Sequence, residues 1–253
     1  MKPPVDLRSH RRRAGGQRWK EHNSARQATI LEAAIALIEE GAPGAEASIQ
    51  QIAERAGLAR SVVYRQFENR EDLDAQAREF IFQRYLAEFE ELLVLDPGRS
   101  AEEVLLEVMR TVVRWADEHP NLYRFGQTGS LPGPDAGAGA MATFRHRVAD
   151  MLWQRFSSWT AVLGIDVAPF HPLVFGVVGM VEGVVTQYLS TPKGADRPAL
   201  ETIARLLTSS TWYLFEGHAR ELGYRFDRSA NVAAALSELF ADAAKHPMAD
   251  PTS

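Results

Sequence analysis

Apolar side chains recur along most of the chain at the three- and four-residue spacing of an amphipathic helix. The clearest case is residues 23–40, whose apolar side chains fall on one face: Ile30, Ala34, Leu37 and Ile38. Similar patterns predict further long helices over about 70–96, 101–119, 141–163, 170–190, 198–222 and 229–245. The alternation typical of strands does not occur in the sequence. The pattern therefore predicts an all-α fold.

Two short helices are predicted between the longer ones, over 49–56 and 60–66. Ser48 and Gln51 have the spacing of a capping box, in which the two residues satisfy each other's backbone amides at the start of a helix. Gly57 is free to adopt the left-handed conformation that a tight turn between the helices requires. This arrangement is typical of a helix-turn-helix, whose second helix enters the major groove of DNA.

Polar side chains near the start of the second short helix are the candidate DNA contacts. Arg60 and Tyr64 lie about one turn apart, as do Ser61 and Arg65. An arginine can bond guanine in bidentate fashion, and hydroxyl groups reach bases or phosphates. Arg70, at the start of the next helix, is predicted to add its charge to a phosphate site at that helix end. The alternative is an ordinary αα-corner whose arginines simply face solvent.

The distribution of charge along the chain changes the conclusion that the net charge alone would support. The net charge of −5 argues against a nucleic-acid binder. Residues 1–70, however, contain 12 Lys and Arg against 8 Asp and Glu, whereas residues 71–253 contain 16 against 25. Residues 1–22 are basic and polar and are predicted to be a disordered arm. We expect Arg11, Arg12 and Arg13 of this arm to contact the DNA backbone or a minor groove. The alternative is a solvated tail without a DNA contact.

Composition also excludes several classes of chemistry. The chain has no cysteine, which excludes disulfides, thiolate zinc sites and thiol nucleophiles and fits a reducing cytosol. No apolar segment follows the basic N-terminus, so no secretory signal is predicted. The most apolar stretch, 167–181, contains two prolines and is too short to span a bilayer, which predicts a buried helix. We therefore expect a cytoplasmic protein without a membrane partner.

No motif supports catalysis, a metal site or a bound cofactor. The glycines of 137–142 fit a dinucleotide fingerprint only formally, because no strand precedes them. The seven histidines are scattered and none has the spacing of a helical zinc motif. The sequence predicts no metal and no cofactor, and it predicts that the protein is not an enzyme.

Residues 48–73 resemble the DNA-binding domain of TetR-type transcriptional regulators. The likeness rests on the runs Ile52–Leu58, Tyr64–Phe67 and Asn69–Leu73, and it covers about 24–75 closely. It implies a homodimeric repressor that a small-molecule effector releases from a pseudo-palindromic, double-stranded DNA operator. It also adds Ser48 to the expected DNA contacts.

The sequence departs from the family pattern at three positions on or beside the second short helix. Ala59 and Val62 stand where hydroxyl residues are common, and Gln66 stands where histidine is frequent. Three phosphate contacts are therefore expected to be missing, which leaves the basic arm a larger share of the electrostatic binding.

Four parts are predicted, the middle two of them by the resemblance: the arm 1–22, a helix-turn-helix DNA-binding domain 23–70, a larger helical ligand-binding and dimerisation domain 71–222, and a C-terminal helical extension and tail 223–253. Large side chains between 80 and 160 favour a lipophilic or aromatic effector, although each could simply be core. The candidate pocket residues are Phe80, Met109, Tyr123, Met141, Phe144, Trp153 and Phe156. A neighbouring basic run, Arg145–Arg147, could meet an anionic head group or could face solvent.

Dimerisation is predicted in the two helices 170–190 and 198–222. The first carries more valine than one buried stripe requires, and Gly176, Gly179 and Gly183 would allow close helix approach. Two helices from each subunit would form a four-helix interface. The candidate interface residues are Val174, Val177, Val178, Val181, Val185, Leu207 and Leu214.

Two other classes of protein stay open at this point. One is an all-α enzyme or small-molecule-binding module with a pocket in the helical bundle and no DNA role. The other is a helical scaffolding protein, which would bind neither DNA nor a small molecule.

Overall fold

The structure is a computed structural model that describes residues 7–42, 44–93, 96, 98–133, 139–162, 168–194, 196–221 and 227–231; the side chains of 7–23, 159–162 and 169 are not part of that description. Within these ranges the chain is helical and contains no strand, which confirms the predicted all-α fold. The helices are α1 (Leu7–Glu40), α2 (Ile49–Arg55), α3 (Arg60–Gln66), α4 (Arg70–Leu92), α5 (Ala101–Glu118), α6 (Pro120–Gly126), α7 (Ala140–Val162), α8 (His171–Ser190) and α9 (Leu200–Glu221).

The first helix begins earlier than the sequence pattern predicted. Residues 1–22 were expected to be a disordered arm, but α1 already begins at Leu7. The segment is rich in arginine, lysine and glutamine, whose helix propensity offsets the cost of Gly15 and Gly16. The side chains of Arg11, Arg12 and Arg13 lie outside the described ones, so their contact with DNA stays a prediction.

The described part of the chain forms two compact units. The first comprises the described residues of 1–81 and 124–140, and the second comprises those of 82–123 and 141–253. Helix α4 contributes to both, because it runs from Arg70 to Leu92 without interruption. Of the expected C-terminal extension, only 227–231 is described, so the predicted helix over 229–245 lies almost wholly outside the description.

The core of the first unit is a small cluster to which α1, α2, α3 and α4 each contribute. Ile30, Ile52 and Leu73 have no exposed surface, and Val63 and Phe67 from α3 are almost completely buried. Each of these short helices buries one face only, which agrees with the apolar spacing in the sequence. Because the buried faces converge, the opposite face of α3 is left in solvent.

The core of the second unit forms where α5, α8 and α9 pack together. Val113, Val185 and Leu207 are almost fully buried there. Arg110 of α5 bonds the carboxylate of Glu201 on α9 through two nitrogens, at 2.6 and 2.7 Å. This bidentate geometry fixes the relative position of the two helices.

The start of α5 has a second set of contacts. Ser100 and Glu103 form a capping box, in which each side chain accepts a hydrogen bond from the backbone amide of the other residue. The segment 227–231 returns to this point, where Asn231 pairs with Ser100 and Arg228 forms an ion pair with Glu102. The chain beyond α9 is thereby held against the beginning of α5.

Among the described helices, α8 alone has the length and apolar composition of a membrane-crossing segment, with a mean hydropathy of 1.5 in its most apolar window. The apolar character has another explanation within the unit. Val174, Val177 and Val185 are buried, and together with neighbouring valines they line an internal cavity described below. An apolar core helix of this kind passes the same test of length and composition.

Candidate DNA-binding surface and ligand cavity

The turn between α2 and α3 is built by hydrogen bonds that require a glycine. Gly57 has a φ of 65°, in the left-handed region, and its amide donates to the carbonyl of Glu54. The amide of Leu58 donates to the carbonyl of Ala53 at 2.9 Å. This pair of bonds is the Schellman motif, which satisfies the carbonyls at a helix end and sets the exit direction of the chain.

The start of α2 is fixed by two reciprocal hydrogen bonds between Ser48 and Gln51. The Ser48 side chain accepts from the amide of Gln51, and the Gln51 side chain accepts from the amide of Ser48 at 2.8 Å. The capping box predicted from the sequence is therefore confirmed. Ser48 is exposed, so its hydroxyl lies at the protein surface as a DNA contact would require.

Helix α3 separates its buried and exposed side chains cleanly. Val63 and Phe67 are 1% and 3% exposed, whereas the four candidate contacts on this helix are all exposed: Arg60, Ser61, Tyr64 and Arg65. The ring of Tyr64 is among the few large apolar groups left in solvent, with 52% of the residue exposed. An exposed polar face on a helix whose other face is anchored in a core is the geometry of a DNA-reading helix.

Arg60 and Tyr64 form a pair on this face. The Nη2 group of Arg60 donates to the Tyr64 hydroxyl at 2.9 Å, and the guanidinium carbon lies 5.3 Å from the centre of the ring. The guanidinium is therefore held in place by a hydrogen bond and a cation–π contact. Arg65, in contrast, has no ion-pair or hydrogen-bond partner among the described side chains and is fully available to an anionic partner.

Arg70 has a different environment from the one the sequence led us to expect. Its Nε donates to the carboxylate of Asp74 at 2.9 Å, and its Nη1 donates to the carbonyl of Ala47. The side chain thus links the start of α4 to the segment before α2. The structure gives Arg70 an internal role, and a phosphate contact through it stays a prediction.

The start of α3 lacks a capping side chain. Ala59 is the N-cap residue and forms no side-chain hydrogen bond to the helix, in agreement with the departure seen in the sequence. The first backbone amides of α3 are therefore left for solvent or for an external acceptor such as a phosphate.

A buried arginine ties α4 to the end of α6 within the first unit. Arg78 is 8% exposed, donates from Nε to the carbonyl of Phe125 at 3.1 Å, and lies 4.2 Å from the centre of the Phe125 ring. Burial lowers the pKa of Arg78, and the nearby Asp74 carboxylate counters this effect. A Cβ atom added to Gly129 would lie 2.5 Å from Cζ of Arg78, so the guanidinium fills the space that this glycine leaves.

The second unit contains a partly open cavity of about 420 Å³. This volume lies within the range of small-molecule sites in proteins. The wall is formed almost entirely by apolar side chains of α4, α5, α7, α8 and α9, together with Leu122 and Tyr123 of α6. From α4 come Phe82, Tyr85 and Phe89, of which Phe82 stacks on Phe144 at a centroid distance of 4.2 Å.

Few polar groups interrupt this wall. The Tyr123 hydroxyl lies 2.9 Å from the hydroxyl of Thr186, and Arg145 forms an ion pair with Glu182 at 2.8 Å. Burial is the main cause of a raised pKa at Tyr85, so its phenol stays protonated at neutral pH. Across the described ranges, His, Asp and Glu do not form a group of three that could hold a metal ion.

Five of the seven predicted pocket residues line the cavity: Met109, Tyr123, Met141, Phe144 and Phe156. Phe80 does not, and instead packs on the core of the first unit. Phe80 precedes Phe82 by two residues on α4, so its side chain points to nearly the opposite side of the helix. Trp153 is not in the wall either, because its ring packs on His171 at a centroid distance of 4.7 Å.

The predicted dimer residues are largely on the inside of the unit. Five of them line the cavity: Val174, Val177, Val178, Val181 and Val185. Leu207 is 1% exposed and belongs to the core, and Leu214 is half-buried. These valines therefore face the inside of the unit, which the sequence could not show because apolar spacing does not tell which of two apolar faces of a helix points inward, and their role in a dimer stays a prediction.

The outward faces of α8 and α9 carry different residues. A Cβ atom added to Gly176, Gly179 or Gly183 would meet no atom within 4 Å, so this stripe of α8 borders open space. On α9, Leu206 and Tyr213 are 54% and 62% exposed and lie seven residues apart on one face. The spacing of the glycines was recognisable from the sequence, whereas no sequence pattern singled out Leu206 and Tyr213 as exposed.

Residues 30–77 match the family described as bacterial regulatory proteins of the tetR family. A helix-turn-helix-type transcriptional regulator of Mycobacterium tuberculosis is 23% identical over 210 residues, which are 83% of this chain and 84% of the relative. The fold is similar to that of a tetR-family transcriptional regulator from Streptomyces coelicolor, with a TM-score of 0.56, 20% identity and coverage of 87% and 90% of the two chains.

A further structure with a similar fold is the transcriptional regulator FadR from Bacillus subtilis, solved in complex with stearoyl-CoA. It has a TM-score of 0.50 and 18% identity and covers 73% of this chain and 96% of its own. The structural likenesses show the fold, and the match over 30–77 coincides with the helix-turn-helix described above. The N-terminal part of this chain is a tetR-family DNA-binding domain, and the chain as a whole resembles TetR-type transcriptional regulators.

Proposed function

We propose that the protein is a homodimeric repressor that leaves a pseudo-palindromic operator when a small lipophilic effector enters the cavity of its second unit. One observation carries this proposal: α3 buries Val63 and Phe67 and exposes Arg60, Ser61, Tyr64 and Arg65. The match of residues 30–77, which include α3, to the tetR family supports a role of this face in DNA binding. The repressor acts by binding rather than by catalysis, in the cytoplasm and without a membrane partner.

In the DNA complex, α3 enters the major groove. Arg60 and Arg65 bond guanine or phosphate, and the hydroxyls of Ser61 and Tyr64 contact bases or the backbone. Ser48, exposed at the start of α2, contacts a phosphate. Arg11, Arg12 and Arg13 supply additional phosphate contacts near the N-terminus, which offsets the missing cap hydroxyl at Ala59.

The effector binds in the cavity of the second unit. Its volume and apolar wall support a lipophilic ligand with a long or flat apolar part. FadR from Bacillus subtilis, which has a similar fold, was solved with stearoyl-CoA. An acyl chain is therefore one form of ligand that we propose for this cavity.

The dimer forms through the outward faces of α8 and α9. Gly176, Gly179 and Gly183 let a second helix approach closely, and Leu206 and Tyr213 present apolar surface that a partner copy would bury. A two-fold axis between the copies would set the two α3 helices about 34–36 Å apart, one turn of DNA.

Helix α4 carries the signal between the two sites. It supplies Leu73 and Ala77 to the core of the first unit and Phe82, Tyr85 and Phe89 to the cavity wall of the second. An effector that binds more tightly to the DNA-incompetent state shifts the population toward it. Moving the equilibrium from 1:99 to 99:1 requires about 5.5 kcal/mol of differential binding.

The test is a gel-shift titration of the full-length protein on the DNA upstream of its own gene, followed by footprinting. We expect two protected half-sites one helical turn apart, and release of the DNA when an extract of apolar small molecules is added. Binding that survives the change Arg60→Ala at unaltered affinity, or DNA affinity that no apolar ligand changes, would contradict the proposal.

A further inference from the structure

An ion pair interrupts the apolar wall of the cavity. Arg145 of α7 and Glu182 of α8 both line it, with Nη1 and Oε2 2.8 Å apart. Glu182 is the only aspartate, glutamate, lysine or arginine of α8, and its side chain is 19% exposed. A carboxylate is costly in so apolar a helix unless a partner charge compensates it, and Arg145 provides that charge.

A second guanidinium lines the same cavity without a counter-charge. Arg155 lies on α7 and is exposed, and no described residue forms an ion pair with its side chain. Among the described lining residues the charged groups are thus Arg145, Arg155 and Glu182. The wall carries one net positive charge when the ion pair is intact.

We propose that the effector is an anionic amphiphile, an inference that rests on the effector site proposed above. Its apolar chain lies along the valine and aromatic wall. Its carboxylate or phosphate group is bonded by Arg155 in a bidentate manner, and Arg145, which lies ten residues or about 15 Å of helix axis away on α7, attracts it by charge alone. Glu182 is the counter-ion of Arg145 and repels the anion.

Substitutions that remove the charge of Arg155 or of Glu182 are therefore expected to change the affinity for an anionic ligand in opposite directions. Arg155→Gln removes an attractive charge, so an anionic ligand binds more weakly. Glu182→Gln removes a repulsive charge and leaves an amide that can still bond Arg145, so the same ligand binds more tightly. A cationic ligand would respond with both signs reversed, and an uncharged one would respond to neither.

The experiment measures the binding of three probes with one chain length, dodecanoate, dodecanol and dodecylamine, to the full-length protein by calorimetry. We expect dodecanoate to bind at least about tenfold more tightly than dodecanol, as a charge-assisted bond implies. Arg155→Gln should lower the dodecanoate affinity roughly tenfold and Glu182→Gln should raise it, while dodecanol is unaffected. Arg114→Gln, an exposed arginine of α5 outside the wall, is the matched control.

Two outcomes would overturn the inference: dodecylamine as the tightest probe, or equal dodecanoate affinities for Arg155→Gln and Arg114→Gln. Dodecanoyl-CoA distinguishes the source of the anion, because tighter binding than the free acid indicates phosphate groups and weaker binding a carboxylate. These affinities are measured without DNA. Dodecanoate that binds with the expected signs but leaves operator affinity unchanged would contradict the proposed repressor and leave the anion site standing.

Discussion

Arg60 donates a hydrogen bond to the Tyr64 hydroxyl at 2.9 Å on the exposed face of α3, so the guanidinium is ordered before any DNA is bound. Less side-chain entropy is then lost on binding than for a free arginine. Arg60 and Tyr64 are therefore expected to contact DNA as one preorganised pair and not as two independent side chains.

Arg60→Ala is expected to weaken operator binding by about 1–3 kcal/mol and to relax specificity at one base pair, as the loss of a bidentate arginine does. Tyr64→Phe keeps the ring and removes only the hydroxyl, so its effect should be smaller. Titrations on the operator and on single-base variants measure both, with Arg114→Gln as the control. A uniform loss on all sequences would instead assign Arg60 to a phosphate.

Deletion of residues 1–20 is expected to flatten the salt dependence of DNA binding. Each phosphate contact that is lost reduces the slope of log K against log salt by about 0.9. Affinities at several salt concentrations for the full-length and truncated proteins give the two slopes. Equal slopes would mean that Arg11, Arg12 and Arg13 do not contact the backbone.

Gly129→Ala is expected to destabilise the first unit more than Gly133→Ala. Both glycines have positive φ values, 73° and 112°, so both changes introduce backbone strain of about 1 kcal/mol or more. Only at position 129 would the new Cβ collide with Arg78, which adds roughly 1–3 kcal/mol of overpacking. Urea denaturation gives the free energies of unfolding, and the excess cost should shrink in an Arg78→Ala background. An undiminished excess would show that the collision is not its cause.

Leu206→Glu is expected to dissociate the dimer. It introduces a charge into the outward face of α9, where a partner copy would have to bury it unpaired. Sedimentation at several protein concentrations reports the oligomeric state, and Gln154→Glu, which introduces the same charge at an exposed position of α7, is the control. A dimer that persists with Leu206→Glu would remove this residue from the interface.

Acid should weaken the contact between α5 and α9. Hydrogen bonding from Arg110 holds the pKa of Glu201 below its usual value of 4.5. A lowered pKa in the folded state stabilises the protein above the usual value, and this contribution is lost as the pH falls through the folded-state pKa. The Tm difference between wild type and Glu201→Gln should therefore be present at neutral pH and vanish in acid. A Tm difference that stays unchanged as the pH falls would show that the pair of Arg110 and Glu201 is not its source.

The sequence was most informative where local chemistry decides the structure. Ser48 and Gln51 form their capping box, and Gly57 takes the left-handed turn, because each depends on neighbours within a few residues. The rotation of α8 depends on distant packing instead. Valines and glycines occupy both of its sides, so the pattern could not tell that Val177 faces a cavity while Gly176 faces solvent. Phe80 and Phe82 show the same limit, since both are large and apolar and only packing separates their roles.

The hydrogen bond between Arg78 and Phe125 joins a side chain to the main chain. Every amino acid at position 125 offers the same carbonyl oxygen, so exchange of the phenyl ring keeps the acceptor and loses the contacts of the ring with the guanidinium and with the core of the first unit. The donor, in contrast, belongs to a side chain and is lost with it. As far as this bond is concerned, position 125 is free to vary, whereas position 78 must keep a long side chain with a donor group.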